Sequence, residues 1–332
     1  MRPSLTASAA PWRIEPASSA VTIVVSWISW VAALPLAIPR YGIVRPGKGG
    51  AAMRDLVKNL NELCDSAEFE VSWYLKDLAS SVAADRRGKV AVPSASTRKI
   101  SIMMAALAAV HAGKLSLDQK ITIDRRFQDN DSGTFQHLTP GFWITLRDAM
   151  VMMIIVSDNT CTGHVVDLVG LANVQRYTES VGLTGTVHRY GIPPKTGPDN
   201  TLDRVTTTTA NDQGLLLELI LKGTEDREVA AKLQCTTALC RLGLDILSWQ
   251  KLKTRLPSLL PLGTKVAHKT GTGHRCYNDA GIIFKGERPL CILTAYTVGV
   301  PDSVADGTPG FAAAYRLIGR MAQLAYHELG ER

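Results

Sequence analysis

The sequence predicts an α+β fold, an antiparallel sheet flanked by helices, with an all-helical part set inside it. Three observations carry that reading. One strand pattern, Phe69 to Leu78, stands near the start of the periodic sequence. Three more (KVAHKTGTG, NDAGIIFK and PLCILTAYTV) follow one another near the far end, and the residues between are mostly of helical spacing. The early strand joins the late three only if the chain returns to one sheet.

Composition sets limits on function. A chain of 332 residues, 45% hydrophobic and 20% charged, buries a sizeable core. The net charge of +7 suits an anionic partner. No dense Lys/Arg cluster interleaves with aromatics, so no nucleic-acid partner is expected. The six cysteines show no CxxC and the seven histidines no HxH or HxxxH, so neither a metal nor a cofactor is expected. Cys235 and Cys240 share a helical segment and are poorly placed for a disulfide.

Residues 1–50 read differently from the rest. Arg2 and Arg13 precede the uncharged run AVTIVVSWISWVAALPLAI, and PRYGIVRPGKGG follows it as a linker. The segment resembles a signal or anchor, which places the protein in the periplasm or at a membrane. The alternative is an overextended start, with the protein beginning near Met53 and remaining in the cytoplasm.

Residues 51–332 are expected to form one domain, its sheet part spanning 51–92 and 262–332 and its helical part 93–261. Leu56, Leu60 and Leu63 give the first helix its period. The first strand follows at Phe69, and SSVAADRRGKV reads as turn. A helix is expected from Ser96 to Gly113, with KLSLDQKITI as a short connection. Trp143 to Gly170 reads as two helices broken by Ser157, Asp158 and Asn159. Residues 186–205, rich in Gly and Pro, form a long loop, and such loops are usually functional. Helices follow over Ala210 to Leu221 and Glu225 to Leu242, and a final helix runs from Gly310 to Leu329.

Chemistry concentrates in three short segments. Ser96 and Lys99 stand three apart at a helix start, so the spacing puts hydroxyl and amine on one face. A serine needs a neighbour to take its proton, and a lysine does so once desolvation or nearby positive charge lowers its pKa. Ser157 and Asn159 flank the helix break. Lys269, Thr270 and Gly271 lie on a strand. Singly each has an ordinary explanation: Ser157 and Asn159 as helix caps, Lys269 as a solvated strand end.

Together, SxxK, SDN and KTG in that order resemble the class A β-lactamase-like serine hydrolases, kin of the D-alanyl-D-alanine peptidases and penicillin-binding proteins. The resemblance runs from about Ala51 onward and includes the TTT run at Thr206 to Thr208. It implies Ser96 as the acylated nucleophile, Lys99 as its base and Ser157 as a proton relay. It implies that Lys269 depresses the Lys99 pKa and attracts a substrate carboxylate. Asn159 would hold the substrate amide, Thr270 the carboxylate, and Gly271 would let the ligand approach the strand. The N–H groups of Ser96 and Thr272 would form the oxyanion hole. Arg275 is a further candidate carboxylate reader, and His274 a second base.

One part of the family pattern is missing. Class A β-lactamases carry a glutamate in the loop before the TTT run, and here that loop reads RYGIPPKTGPDNTLDRV. The expected position falls near Ile192 or Pro193, with Asp199 and Asp203 as the nearby carboxylates. The expected function is therefore acyl-serine hydrolysis of an amide-type bond, β-lactams included, in a carboxylate-bearing small molecule or peptide. A D,D-carboxypeptidase-like peptidase or esterase is one alternative. A slowly turning over covalent β-lactam binder, acting as sensor or trap, is another. A monomer is expected.

Overall fold

The computed structural model describes residues 48–331 except 193, and residues 48–52 by backbone alone. The apolar run at 20–38 lies outside the described residues. Among the described residues no helix is long and apolar enough to cross a membrane.

The main sheet has five antiparallel strands. They are β1 (Glu70–Asp77), β2 (Ala83–Arg86), β7 (Val266–Gly273), β8 (Cys276–Lys285) and β9 (Arg288–Val298), in the order β2-β1-β9-β8-β7. The four expected strands are present. β2 lies in the stretch expected to be turn; with the sequence AADR it offers no apolar alternation, and an edge strand needs none.

Both faces of the sheet are covered, which is why PLCILTAYTV reads as nearly continuous apolar sequence. On one face, α1 (Lys48–Asp65) and α9 (Gly310–Gly330) pack over Val71, Trp73, Leu75, Ile283 and Leu293. Burial at Met53, Leu56, Leu60 and Cys64 gives α1 its inward stripe. The other face carries the helical part. Its centre is α2 (Lys99–His111), whose first ten residues are all buried, as a helix apolar all round must be. Around it lie α3 (Leu146–Ile155), α4 (Asn159–Val169), α5 (Leu171–Ser180), α6 (Ala210–Gly223), α7 (Arg227–Lys232) and α8 (Thr237–Ser248). Ala267, Ala280, Ile282 and Ile292 join that core from the sheet.

Three sequence expectations are corrected here. Trp143–Thr145 is a strand, β5, paired with β4 (Lys120–Thr122) inside the expected connection. The helix read from Glu225 to Leu242 is two, because Gln234 takes a φ of +53° and Thr236 caps a fresh start. Ser96 lies on a 3₁₀ turn, Ala95–Arg98, and α2 begins only at Lys99. A second small ladder pairs β3 (Val92–Pro93) with β6 (Thr207–Thr208), bringing the TTT run beside the Ser96 turn.

Candidate active site

A cleft of about 190 Å³ opens where the helical part meets the free edge of β7. Ser96, Ser157, Asn159, Thr270 and Thr272 line it.

The Ser96 turn is held from three sides. Ser94 donates its N–H (3.0 Å) and its hydroxyl (2.9 Å) to the Thr206 carbonyl. Thr97 accepts a hydrogen bond from the Tyr296 hydroxyl of β9 at 3.0 Å. The Asn278 amide of β8 donates to the Pro93 carbonyl at 2.8 Å. Ala95 is forced to a φ of +44° and Ser157 to +59°. Such backbone costs on the order of 1–3 kcal/mol per residue and persists only where the surroundings impose it.

The amine of Lys99 is fully buried, and its hydrogen bonds all point to the SDN segment. It lies 2.7 Å from the Ser157 carbonyl, 3.1 Å from Ser157 Oγ and 2.7 Å from Asn159 Oδ1. The contact expected from the three-residue spacing, Ser96 to Lys99, is not among them: the amine is taken up by Ser157 and Asn159 instead. Burial holds the Lys99 pKa well below its ordinary value, and the charges of Lys269 and Arg98 act in the same direction. Lys269 is also fully buried, donates to the Thr270 carbonyl at 2.9 Å, and is pushed by burial down to about 7. Asp279 opposes that shift and Arg255 adds to it.

Asp158 serves the backbone. One carboxylate oxygen caps α4 at Cys161 N (2.9 Å), and the other accepts Thr134 N (2.7 Å) and Phe135 N (2.8 Å). That bond set fixes the 130–134 loop over the SDN turn.

Gly271 runs close to the protein's own Ser96 turn. A methyl group there would meet Ser94 O at 2.9 Å and Ser96 N at 3.2 Å. The close approach that glycine permits is to the protein's own Ser96 turn. Backbone atoms cannot yield as a flexible side chain can, so Gly271→Ala is expected to displace the turn. A displacement of about 1 Å is worth roughly 10²-fold in rate. Acylation rate, with circular dichroism unchanged, is the measurement; a wild-type rate would refute it.

Arg275 does not reach the cleft. It is exposed, sits at a φ of +50° in the β7–β8 turn, and donates to Val300 O at 2.9 Å and Gly299 O at 3.2 Å. The guanidinium at this edge belongs to Arg255, which the sequence reading missed because KLKTRLP looks like solvated basic sequence. Arg255 is 2% exposed, lies against the Tyr315 ring, and donates to Gly271 O (2.7 Å), Asn278 O (2.6 Å) and Thr272 Oγ1. His274 lines the rim.

The long loop brings no carboxylate into the cleft. Asp199 and Asp203 are exposed and do not line it, and Asp203 is bonded by the Thr201 hydroxyl at 2.6 Å. Ile192 turns towards α4, where a methyl on Gly163 would come within 2.9 Å of its Cδ1. Pro193 lies outside the described residues. Among the described residues lining the cleft the one carboxylate is Asp131, at the rim, where it accepts Thr196 N at 2.5 Å. Beside it Lys195 pairs with Asp129 at 2.6 Å, so the second KTG, at 195–197, serves as a bridge between two loops. Among the described residues no group of three His, Cys, Asp or Glu side chains converges to hold a metal.

A serine on a strained turn, with a desolvated lysine and a second serine nearby, defines the class: this is a serine hydrolase. Residues 55–329 match the β-lactamase enzyme family, and the chain belongs to it. It is 28% identical over 250 residues to the extended-spectrum β-lactamase PER-1 of Pseudomonas aeruginosa, covering 70% of this chain and 74% of that one. Among solved structures, a β-lactamase from Sphaerobacter thermophilus superposes with a TM-score of 0.70 at 23% identity, over 83% of this chain and 97% of that one. A variant of PBP-A, solved as an acyl-enzyme complex with penicillin G, superposes with a TM-score of 0.70 at 22% identity, over 84% and 98%. The fold is that of the class A β-lactamases.

Proposed function

We propose that this protein is an acyl-serine hydrolase that opens β-lactams or related amide-type bonds through Ser96 and releases the acyl group slowly. The observation that carries the reading is the Lys99 amine, buried and directed at Ser157 and Asn159. Without its third proton, that amine has two N–H groups for the Ser157 and Asn159 oxygens. One lone pair is then left for the Ser157 hydroxyl. A proton leaving Ser96 Oγ passes through Ser157 to Lys99, and the same route returns it to the leaving nitrogen. Lys269, Thr270 and Thr272, backed by Arg255, make an electropositive edge for a substrate carboxylate. The N–H groups of Ser96 and Thr272 are the oxyanion donors.

Slow release follows from the loop. Deacylation needs a base for water, and the sole carboxylate among the described lining residues stands at the rim, bonded to Thr196. A fluorescent penicillin is expected to label the protein stoichiometrically. A chromogenic cephalosporin should then give a burst of about one equivalent followed by slow turnover. Sustained fast turnover would overturn the slow-release part. Absence of labelling, with hydrolysis of simple esters or peptides, would move the substrate away from β-lactams.

A further inference from the structure

His268 and Asp279 are fully buried under the cleft, and the acylation steps give neither a task. Nδ1 of His268 lies 2.9 and 3.0 Å from the two carboxylate oxygens of Asp279. Its Nε2 is buried without a partner. Across the β7–β8 ladder His268 stands opposite Gly281, where a methyl group would meet His268 Cβ at 2.6 Å, so the sheet leaves room for this ring. A buried imidazole–carboxylate pair is costly to desolvate, and apolar side chains often serve stability as well or better. Stability alone therefore does not account for it.

A further hydrogen bond shows what the carboxylate joins. Asp279 Oδ2 also accepts the N–H of Leu256 at 3.1 Å. Leu256 follows Arg255 in the chain, and His268 precedes Lys269. One carboxylate thus ties β7 to the 3₁₀ turn Leu256–Leu259, and these two places bring the cations to the edge of the cleft. The peptide unit between Arg255 and Leu256 is held at its other polar atom too. Its carbonyl accepts the Ser258 N–H at 2.9 Å and the Ser258 hydroxyl at 2.7 Å. From that anchored peptide the Arg255 guanidinium reaches Gly271 O and Asn278 O, on the same pair of strands. A donor fixed in advance loses little freedom when a ligand arrives.

We propose that Asp279, together with His268, is a positioning pair that sets specificity: it anchors the Arg255 peptide to β7 and so holds the guanidinium ready for substrates that carry a carboxylate. The proposal rests on the reading of the β7 edge as the seat of that carboxylate.

Two measurements test it, and the first needs no substrate. In ¹⁵N NMR of the full-length protein, Arg255 is assigned by the loss of its signals in Arg255→Lys. Its Nη resonances should be separate, as in a guanidinium that cannot rotate. In His268→Leu/Asp279→Val, which makes the pair apolar, they should merge. Asp279→Asn removes the charge but keeps an oxygen for Leu256 N, and should leave them separate. The second measurement compares acylation by penicillin G with acylation by its methyl ester, which lacks the carboxylate. The apolar pair should slow roughly tenfold with penicillin G and less than about twofold with the ester, whereas Asp279→Asn should keep the wild-type preference. Merged signals in the wild type, separate signals in the apolar pair, equal losses on both substrates, or Asp279→Asn behaving like the apolar pair would each overturn the proposal. If the apolar pair does not fold, the wild-type spectrum and Asp279→Asn decide. If penicillin G fails to label the wild type, the functional reading falls, and the NMR measurement alone decides here.

Discussion

Ser96→Ala is expected to lose all covalent labelling by penicillin, and its rate on any confirmed substrate should fall on the order of 10⁴-fold or more. Four serines line the cleft, so the choice of nucleophile needs an argument. The Ser94 hydroxyl is given to Thr206 O, that of Ser132 to Ser157 O at 2.9 Å, and Ser157 Oγ lies against Lys99. Among the described residues Ser96 Oγ has no such partner, and it stands on the turn that Gly271 lets β7 approach. Removing it leaves the oxyanion donors and the lysine intact, so residual non-covalent binding of substrate should persist. Mass spectrometry of labelled peptides is the decisive measurement. A label on Ser157 or Ser132 in the wild type, or a near-normal rate in Ser96→Ala, would end the proposed mechanism.

Lys99→Met should cost almost as much activity, roughly 10³-fold or more, and yet leave the protein more stable. The amine is buried among groups that hold its pKa low, so the folded state disfavours its charge. A methionine fills similar space with nothing to desolvate. The pH dependence separates this from simple damage. For a lysine whose folded pKa is lowered, the unfolded chain binds more protons, so stability rises with pH up to the unfolded value. Lys269 sets a window from about 7 to its ordinary 10.5, with stability lost on acidification through it. Lys99, lowered in the same direction, adds to that slope below its ordinary 10.5. Thermal melts across this range should therefore show a shallower slope in Lys99→Met than in the wild type. Wild-type acylation should decline as pH falls and Lys99 gains its proton. An unchanged slope together with a lowered melting temperature would contradict the account.

The late strands and the central helix were legible because burial on both faces writes itself as long apolar runs such as PLCILTAYTV. The SDN break was legible because three polar residues interrupt such a run. β2 and the β4–β5 pair were not, since strands of three or four residues are too short for a period to register, even where β4 alternates exposed and buried. The site was visible only as residue types at intervals. The sequence names Ser96, Lys99, Ser157 and Lys269, but not that the Lys99 amine bonds Ser157 and Asn159 rather than Ser96. Arg255 was hidden for a tertiary reason: nothing local distinguishes a basic residue that will be sealed under Tyr315 from one left in water. Arg275, beside the KTG strand, looked the better choice until the turn geometry carried it to Val300.

β1 waits between partners made at opposite ends of synthesis. Its hairpin mate β2 follows at once, but its other neighbour, β9, and the helix α9 that lies over α1 come from the last part of the described chain. Contacts so distant along the chain close slowly, and until they do the sides of β1 and α1 that face β9 and α9 stay uncovered. A nascent chain halted before residue 288 would hold all of α2 to α8 yet lack the centre of its sheet. Such a species should stick to chaperones or to its own kind.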